Sequence, residues 1–178
     1  QWDGYGGNLL ELQKNAMSAG HFNPLVDIDG VVRRVPMIVE YNGAYYESLS
    51  LAVVRSLLGA AKLTPGFSGD TDKDYAGLEW LDIRTPQGDL RIPVDEQVST
   101  LVPYHGGRGS YRYISVTDVL HDRIPAQELK NKIVLIGTSA PGLMDMRSTP
   151  VAAVYPGVEI HANMVAGILD QELKQKPP

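Results

Sequence analysis

The stretch Lys132-Ile133-Val134-Leu135-Ile136-Gly137-Thr138-Ser139 decides how this chain is read. Four consecutive apolar residues, three of them β-branched, follow Lys132. A run that is apolar on both faces predicts the buried centre of a parallel or mixed sheet. The glycine and hydroxyl residues after it predict a turn that leaves the sheet. A loop to Pro150 follows, and Pro156-Gly157 then opens a helix predicted to run to about Leu169. Val158, Ala162, Val165, Ile168 and Leu169 form its apolar stripe, His161 lies among them, and Asn163 falls on the opposite face.

Working upstream, the same grammar predicts further elements. Leu9 to Ala19 has helical spacing, with Gly20 in the position of a left-handed cap. Asp29-Gly30 separates two β-rich runs, Phe22–Ile28 and Val31–Tyr41, which predicts a hairpin, and Asn42-Gly43 predicts a second turn. From Ser48 the period changes to helical through Leu49, Ala52, Val53 and Leu57, and Gly59 ends it. Residues 64–77 read as a polar loop. Leu78–Arg84 and Leu90–Val94 read as another hairpin, Leu101–Tyr104 as a short strand, and Pro125–Lys130 as the start of a turn. Ser115 and Asp118 have the spacing of a capping box ahead of a short helix. This order gives an α/β or α+β fold: a mixed β-sheet with β-hairpins and flanking helices, in a single domain over residues 1–178.

Composition narrows the function. The chain has 178 residues, with 16 Lys+Arg against 21 Asp+Glu and a formal net charge of -5. That balance opposes a surface built to neutralise nucleic-acid phosphates, so no nucleic-acid partner is expected, despite the interleaved Tyr104, Arg108, Tyr111, Arg112 and Tyr113. There are no cysteines. Disulfides, thiolate nucleophiles and Cys-ligated metals are therefore excluded. The apolar runs fall short of the roughly 20 residues that span a bilayer.

Each chemical constellation has a plainer reading. Gly137-Thr138-Ser139 lacks the second glycine of a nucleophile elbow and the Gly-Lys of a phosphate loop, and reads as a strand-to-loop turn. Ser139, Asp145 and His161 can be written as a hydrolytic triad, yet no oxyanion-hole motif accompanies them, and His161 on the apolar stripe predicts a buried, hydrogen-bonded imidazole with Asp145 as partner. Asp70, Asp72 and Asp74 alternate as in a calcium loop, but Tyr75 and Leu81 stand where glycine and glutamate are required, so a solvated acidic loop is expected. The histidines, at 21, 105, 121 and 161, have no metal-ligand spacing. No catalytic residue, metal or cofactor is expected.

Several fragments occur together in order: Gly20-His21-Phe22-Asn23, Asp27 to Arg34, Leu101 to Gly106, Ile114 to Leu120, Lys132 to Asp145, Ser148-Thr149-Pro150, and Pro156 to Asn163. In that order they resemble the CHASE type 2 family, the cyclase and histidine-kinase associated sensory extracellular domains. The resemblance covers about residues 9 to 170 and the later, larger part of the domain; the family's usual opening strand and helix, the N-terminal part of the sheet, are missing from it.

The resemblance implies a non-enzymatic, extracytoplasmic (periplasmic or extracellular) input domain of a bacterial membrane receptor. Its output would be a nucleotide cyclase, a histidine kinase or a Ser/Thr kinase, with membrane spans before residue 1 and after Pro178. The expected partners are an unknown small ligand or a periplasmic protein, with a homodimer as a further expectation. The expected ligand-contacting set is Thr138, Ser139, Asp145, Thr149, Glu159 and His161, gathered where the strand 133–136 meets the last helix. The alternatives are a periplasmic hydrolase using Ser139, Asp145 and His161, and a purely structural dimerisation module.

Overall fold

Turn chemistry sets the order of the first half of the molecule. The computed structural model describes residues 4, 6–59, 61–67, 77–139 and 145–174. Helix α1 (Leu10–Asn15) buries no residue and stops well before Gly20, because Ala16 is already extended. Gly20 has a different role from the predicted cap. A Cβ at this position would lie 2.6 Å from the Leu49 amide nitrogen and the Ser48 carbonyl carbon, so only glycine lets residues 20–22 lie flat on the backbone there.

Strands β1 (Leu25–Val26) and β2 (Val32–Pro36) form the predicted hairpin, with Gly30 at φ +80° in its turn. Strands β3 (Ile38–Tyr41) and β4 (Ala44–Glu47) follow. They are joined by Asn42 and Gly43, both left-handed, at φ 50° and 74°. That pair of conformations defines the tight hairpin turn whose twist matches its strands. Helix α2 (Leu49–Leu57) begins where the Ser48 hydroxyl accepts from the Leu51 amide at 3.2 Å, and Gly59 at φ +73° ends it as predicted.

Strand β5 (Leu63–Phe67) occupies the start of the stretch read as a polar loop. It pairs antiparallel with β6 (Leu78–Thr85), which pairs with β7 (Gly88–Pro93) in the predicted hairpin. The one-sided exposure of β5, an edge strand holding Pro65 and Gly66, is what hid it from the pattern. Strand β8 (Ser99–Leu101) adds to β2, two residues earlier than expected. Helices α3 (Val116–Leu120) and α4 (Ala126–Leu129) are short and bury no residue. Ser115 precedes α3 without capping it by its side chain, and Asp118 instead pairs with Arg123 at 2.7 Å. Strands β9 (Met146–Thr149) and β10 (Ala152–Pro156) form a hairpin where a loop was expected, leading directly into α5 (Gly157–Leu169).

The stretch that opened the sequence reading behaves differently from its prediction. Residues 132–139 form no regular element and pair with no strand among the described residues, and Ile133, Val134 and Ile136 are 43%, 54% and 86% exposed. All ladders between the named strands are antiparallel; parallel contact is confined to isolated bridges joining His21 to Ser48 and Val31 to Ser148. The architecture is accordingly α+β, with several small sheets around two packed helices. An apolar run records that a segment suits a buried strand; it carries no information on which neighbours supply the burial.

The core lies between α2, α5 and the inner faces of the sheets. Leu51 and Val54 from α2 meet Ile160, Met164 and Ile168 from α5, with Val35, Met37, Leu81, Ile83 and Ile92 around them. Each of these side chains is essentially removed from water, which stabilises the fold by about 1.5–3 kcal/mol per large residue. Along the hairpin β1–β2, Arg33 pairs with Asp27 at 2.8 Å and Asp29 at 2.7 Å, while Arg34 joins Asp27 and Asp95 at 2.9 Å each. This network ties the hairpin to the turn before β8. Among the described residues, no helix is long and apolar enough to cross a membrane.

Candidate functional site around the last helix

Helix α5 is the element through which the molecule is wired. Its apolar stripe is partly as read, with Val165 and Ile168 buried, but Glu159, Ile160, His161, Asn163, Met164 and Gly167 are buried as well. Asn163, expected on an exposed face, is fully buried. The helix is therefore enclosed on more than one side, and its buried polar residues each hold a different piece of chain.

Glu159 lies in the first turn and is 2% exposed. Its carboxylate accepts from the Gly109 amide at 3.1 and 3.2 Å, from the Tyr111 amide at 3.4 Å and from the Tyr113 hydroxyl at 2.6 Å. Burial, followed by this carboxylate, pushes the Tyr113 hydroxyl well above the ordinary tyrosine range, so it stays a proton donor. One turn on, the Asn163 amide donates to the Tyr155 hydroxyl at 2.8 Å and to the Glu159 carbonyl at 2.7 Å, while its oxygen accepts from the His105 amide at 3.0 Å. Glu159 and Asn163 together fasten the loop 105–113, whose glycines leave its amides free to turn inward.

His161 faces the other way. Its Nε2 lies 3.3 Å from the Phe22 carbonyl oxygen and its Nδ1 lies 3.0 Å from the Ser50 hydroxyl. A carbonyl can only accept, so Nε2 carries the proton and Nδ1 of the neutral ring accepts from Ser50. Burial lowers the His161 pKa, opposed by the Phe22 carbonyl and by the Asp145 charge. His21 beside it is held down to about 4, first by burial and then by His161.

The expected ligand set is brought partly together. Residue 137 lies against α5, where a Cβ would come 2.5 Å from the Val158 side chain. The Asp145 carboxyl packs against Gly157 at the helix N-terminus, and the Asp145 carbonyl accepts from the Gly157 amide at 2.8 Å. Arg108 donates to the Ser139 carbonyl at 3.3 Å, joining the loop 105–113 to the same corner. Thr138 is exposed there. Thr149 is elsewhere: its hydroxyl closes the β9–β10 turn with the Ala152 carbonyl and amide at 3.0 and 3.2 Å.

Both ring nitrogens of His161 are engaged by Phe22 and Ser50, so the imidazole is not available to activate Ser139 as a triad requires. Asp70, Asp72 and Asp74 lie outside the described residues. Among the described residues, no three His, Asp or Glu converge as metal ligands. A cleft of about 730 Å³ opens at the far, C-terminal end of α5, lined by Tyr104, His105, Pro150, Glu172, Leu173 and Lys174 among others. Sequence reasoning missed it because its walls come from segments distant in the chain. It also missed Glu159 and Asn163 as buried ties, for which the only local signal is their i, i+4 spacing.

No curated protein and no solved structure matches this chain. A family model does: the CHASE2 domain matches residues 6–178, essentially the whole chain. With that match the chain belongs to the CHASE2 family of sensory extracellular domains.

Proposed function

We propose that this domain is the extracytoplasmic input unit of a bacterial membrane receptor, and that it relays a conformational change through α5 to a cyclase or kinase output. One observation carries the reading: three buried polar residues within the first two turns of α5, Glu159, His161 and Asn163, grip the loop 105–113, the start of α2 and the segment 20–22. A displacement of α5 therefore changes contacts in all of them at once. The ligand, a small molecule or a periplasmic protein, meets the corner formed by Thr138, Ser139 and Asp145. There Thr138 is exposed, and the side chains of Thr149, Glu159 and His161 are already occupied by internal hydrogen bonds. The domain itself performs no chemistry.

Coupling requires that the ligand prefer one of two α5 positions. The test is the output of the intact receptor carrying Val165→Ala, a mild loosening of a buried α5 residue. Basal or ligand-stimulated cyclase or kinase activity is expected to shift. Unchanged output from a receptor whose domain is folded by circular dichroism would overturn the reading.

A further inference from the structure

The cleft of about 730 Å³ lies at the opposite end of α5 from the corner formed by Thr138, Ser139 and Asp145, and its size is that of a small-molecule site. Gly167 sets both of its walls. A Cβ there would come 2.3 Å from Pro103 Cγ and 3.2 Å from Leu173 Cδ2, so glycine is what lets the stretch 101–105 and the turn 171–174 both close on the helix. Each wall is then fastened. On one side the Tyr104 hydroxyl donates to the Val32 carbonyl at 2.8 Å, and the His105 amide donates to Asn163 at 3.0 Å. On the other, Gln171 sits at φ 56°, accepts from the Arg91 amide at 2.8 Å and donates to the Ile168 carbonyl at 2.8 Å. The Glu172 amide donates to the Gly167 carbonyl at 3.0 Å. A cleft held at this many points exists before any ligand arrives, which lowers the ordering cost of binding.

The lining side chains divide into those already committed and those left open. Arg33 gives its guanidinium to Asp27 and Asp29, and Gln171 is used at both ends of its amide. The Glu172 carboxylate is open: it is 55% exposed, has no hydrogen bond among the described residues, and approaches only the His105 ring, at 3.8 Å. Lys174 is exposed and pairs with no carboxylate among the described residues, Glu172 included, although both line the cleft. Between these two charges and the helix the surface is apolar, from Leu101, Pro103, Pro150 and Leu173.

We propose that this cleft binds a zwitterionic amino acid with a large apolar side chain, its ammonium at Glu172, its carboxylate at Lys174 and its side chain against the apolar wall. A simple anion would gain Lys174 and face Glu172; a simple cation would gain Glu172 and face Lys174. A molecule carrying both charges answers both groups, and the repulsion met by the others is what makes the site selective. The apolar wall supplies contact area, and the two charges fix the orientation of the ligand within it. The site stands whether or not another ligand meets the corner at the start of α5.

The experiment is a titration of the isotope-labelled 178-residue chain at neutral pH, read by amide NMR shifts. The probes are L-phenylalanine, phenethylamine and hydrocinnamate, which share a ring and carry both charges, the positive one alone and the negative one alone. L-Phenylalanine is expected to give saturable shifts at the His105, Leu173 and Lys174 amides and none at Thr138 and Ser139. Each single-charge analogue is expected to bind about fivefold more weakly, the upper end for an exposed ion pair. Glu172→Gln is expected to weaken L-phenylalanine by about fivefold while leaving hydrocinnamate no weaker, and Lys174→Gln to weaken it equally while leaving phenethylamine no weaker. Both side chains are exposed and make no hydrogen bond among the described residues, so these variants keep the fold. The absence of saturable shifts at these amides up to about 20 mM would overturn the site. So would equal affinity for the three probes, shifts confined to Thr138 and Ser139, or an unchanged L-phenylalanine affinity in either variant.

Discussion

Replacing Asn163 by alanine tests whether α5 is held by its buried polar side chains or only by its apolar ones. The Asn163 side chain is 0% exposed and makes three hydrogen bonds, to Tyr155, to the Glu159 carbonyl and from the His105 amide. Alanine removes all three. The Glu159 carbonyl keeps the helical partner four residues on, so it is not orphaned. The His105 amide loses its partner, and the Tyr155 hydroxyl is left with Glu159 beside it. The orphaned His105 amide costs about 1–3 kcal/mol and the lost Asn163–Tyr155 hydrogen bond about 1 kcal/mol, so the two together come to about 2–4 kcal/mol. The better helix propensity of alanine returns up to about 0.7 kcal/mol. The net loss is then about 1.3–3.3 kcal/mol, a large share of the roughly 5–15 kcal/mol that stabilises a domain. Urea unfolding followed by tryptophan fluorescence reads this as a midpoint lowered by about 1–2 M with unchanged slope. Asn163→Asp should be worse still at neutral pH, because it buries a carboxylate close to Glu159. A midpoint for Asn163→Ala within about 0.2 M of wild type would refute the claim that this residue ties the loop 105–113 to α5.

Three further outcomes follow from the same structure. Gly20→Ala should destabilise the domain by about 1–3 kcal/mol, since its Cβ would meet rigid backbone at 2.6 Å; thermal unfolding checks this, and an unchanged midpoint counts against the close approach. Glu159→Gln places an N–H group opposite amide donors, so the loop 105–113 should lose protection in hydrogen exchange while Leu81 and Ile83 do not; equal protection in both proteins would show that the carboxylate does not hold the loop. His21 and His161 are both lowered in the folded state, so the unfolded chain binds more protons below about pH 6.5. Stability should be full above that pH and fall as pH drops toward 4, measured by denaturant midpoints across the range, and a His21→Asn variant should show a shallower decline.

What the sequence by itself determined is what neighbouring residues decide between themselves. Asn42-Gly43 can adopt two left-handed conformations in succession at little cost, so that turn was legible, and with it the β3–β4 hairpin. Ser48 and Gly59 bracket α2 for equally local reasons, a hydroxyl to cap the start and a residue free to turn left at the end. Pro156-Gly157 marked the start of α5. The order of family fragments was legible too, and the family match extends it to residues 6–178. Tertiary structure decided the rest. Periodicity assigns polar residues to the solvent side, so Glu159 and Asn163 read as exposed until the loop 105–113 supplied amides to meet them. The Ile133–Ile136 run read as a buried strand, but burial belongs to neighbours, and none of the described strands pairs with it. The ring of His161 read correctly as buried, yet its partners, Ser50 and Phe22, lie more than a hundred residues away. A hydrogen bond is chosen by distance in space, and distance in space is what the chain order leaves open.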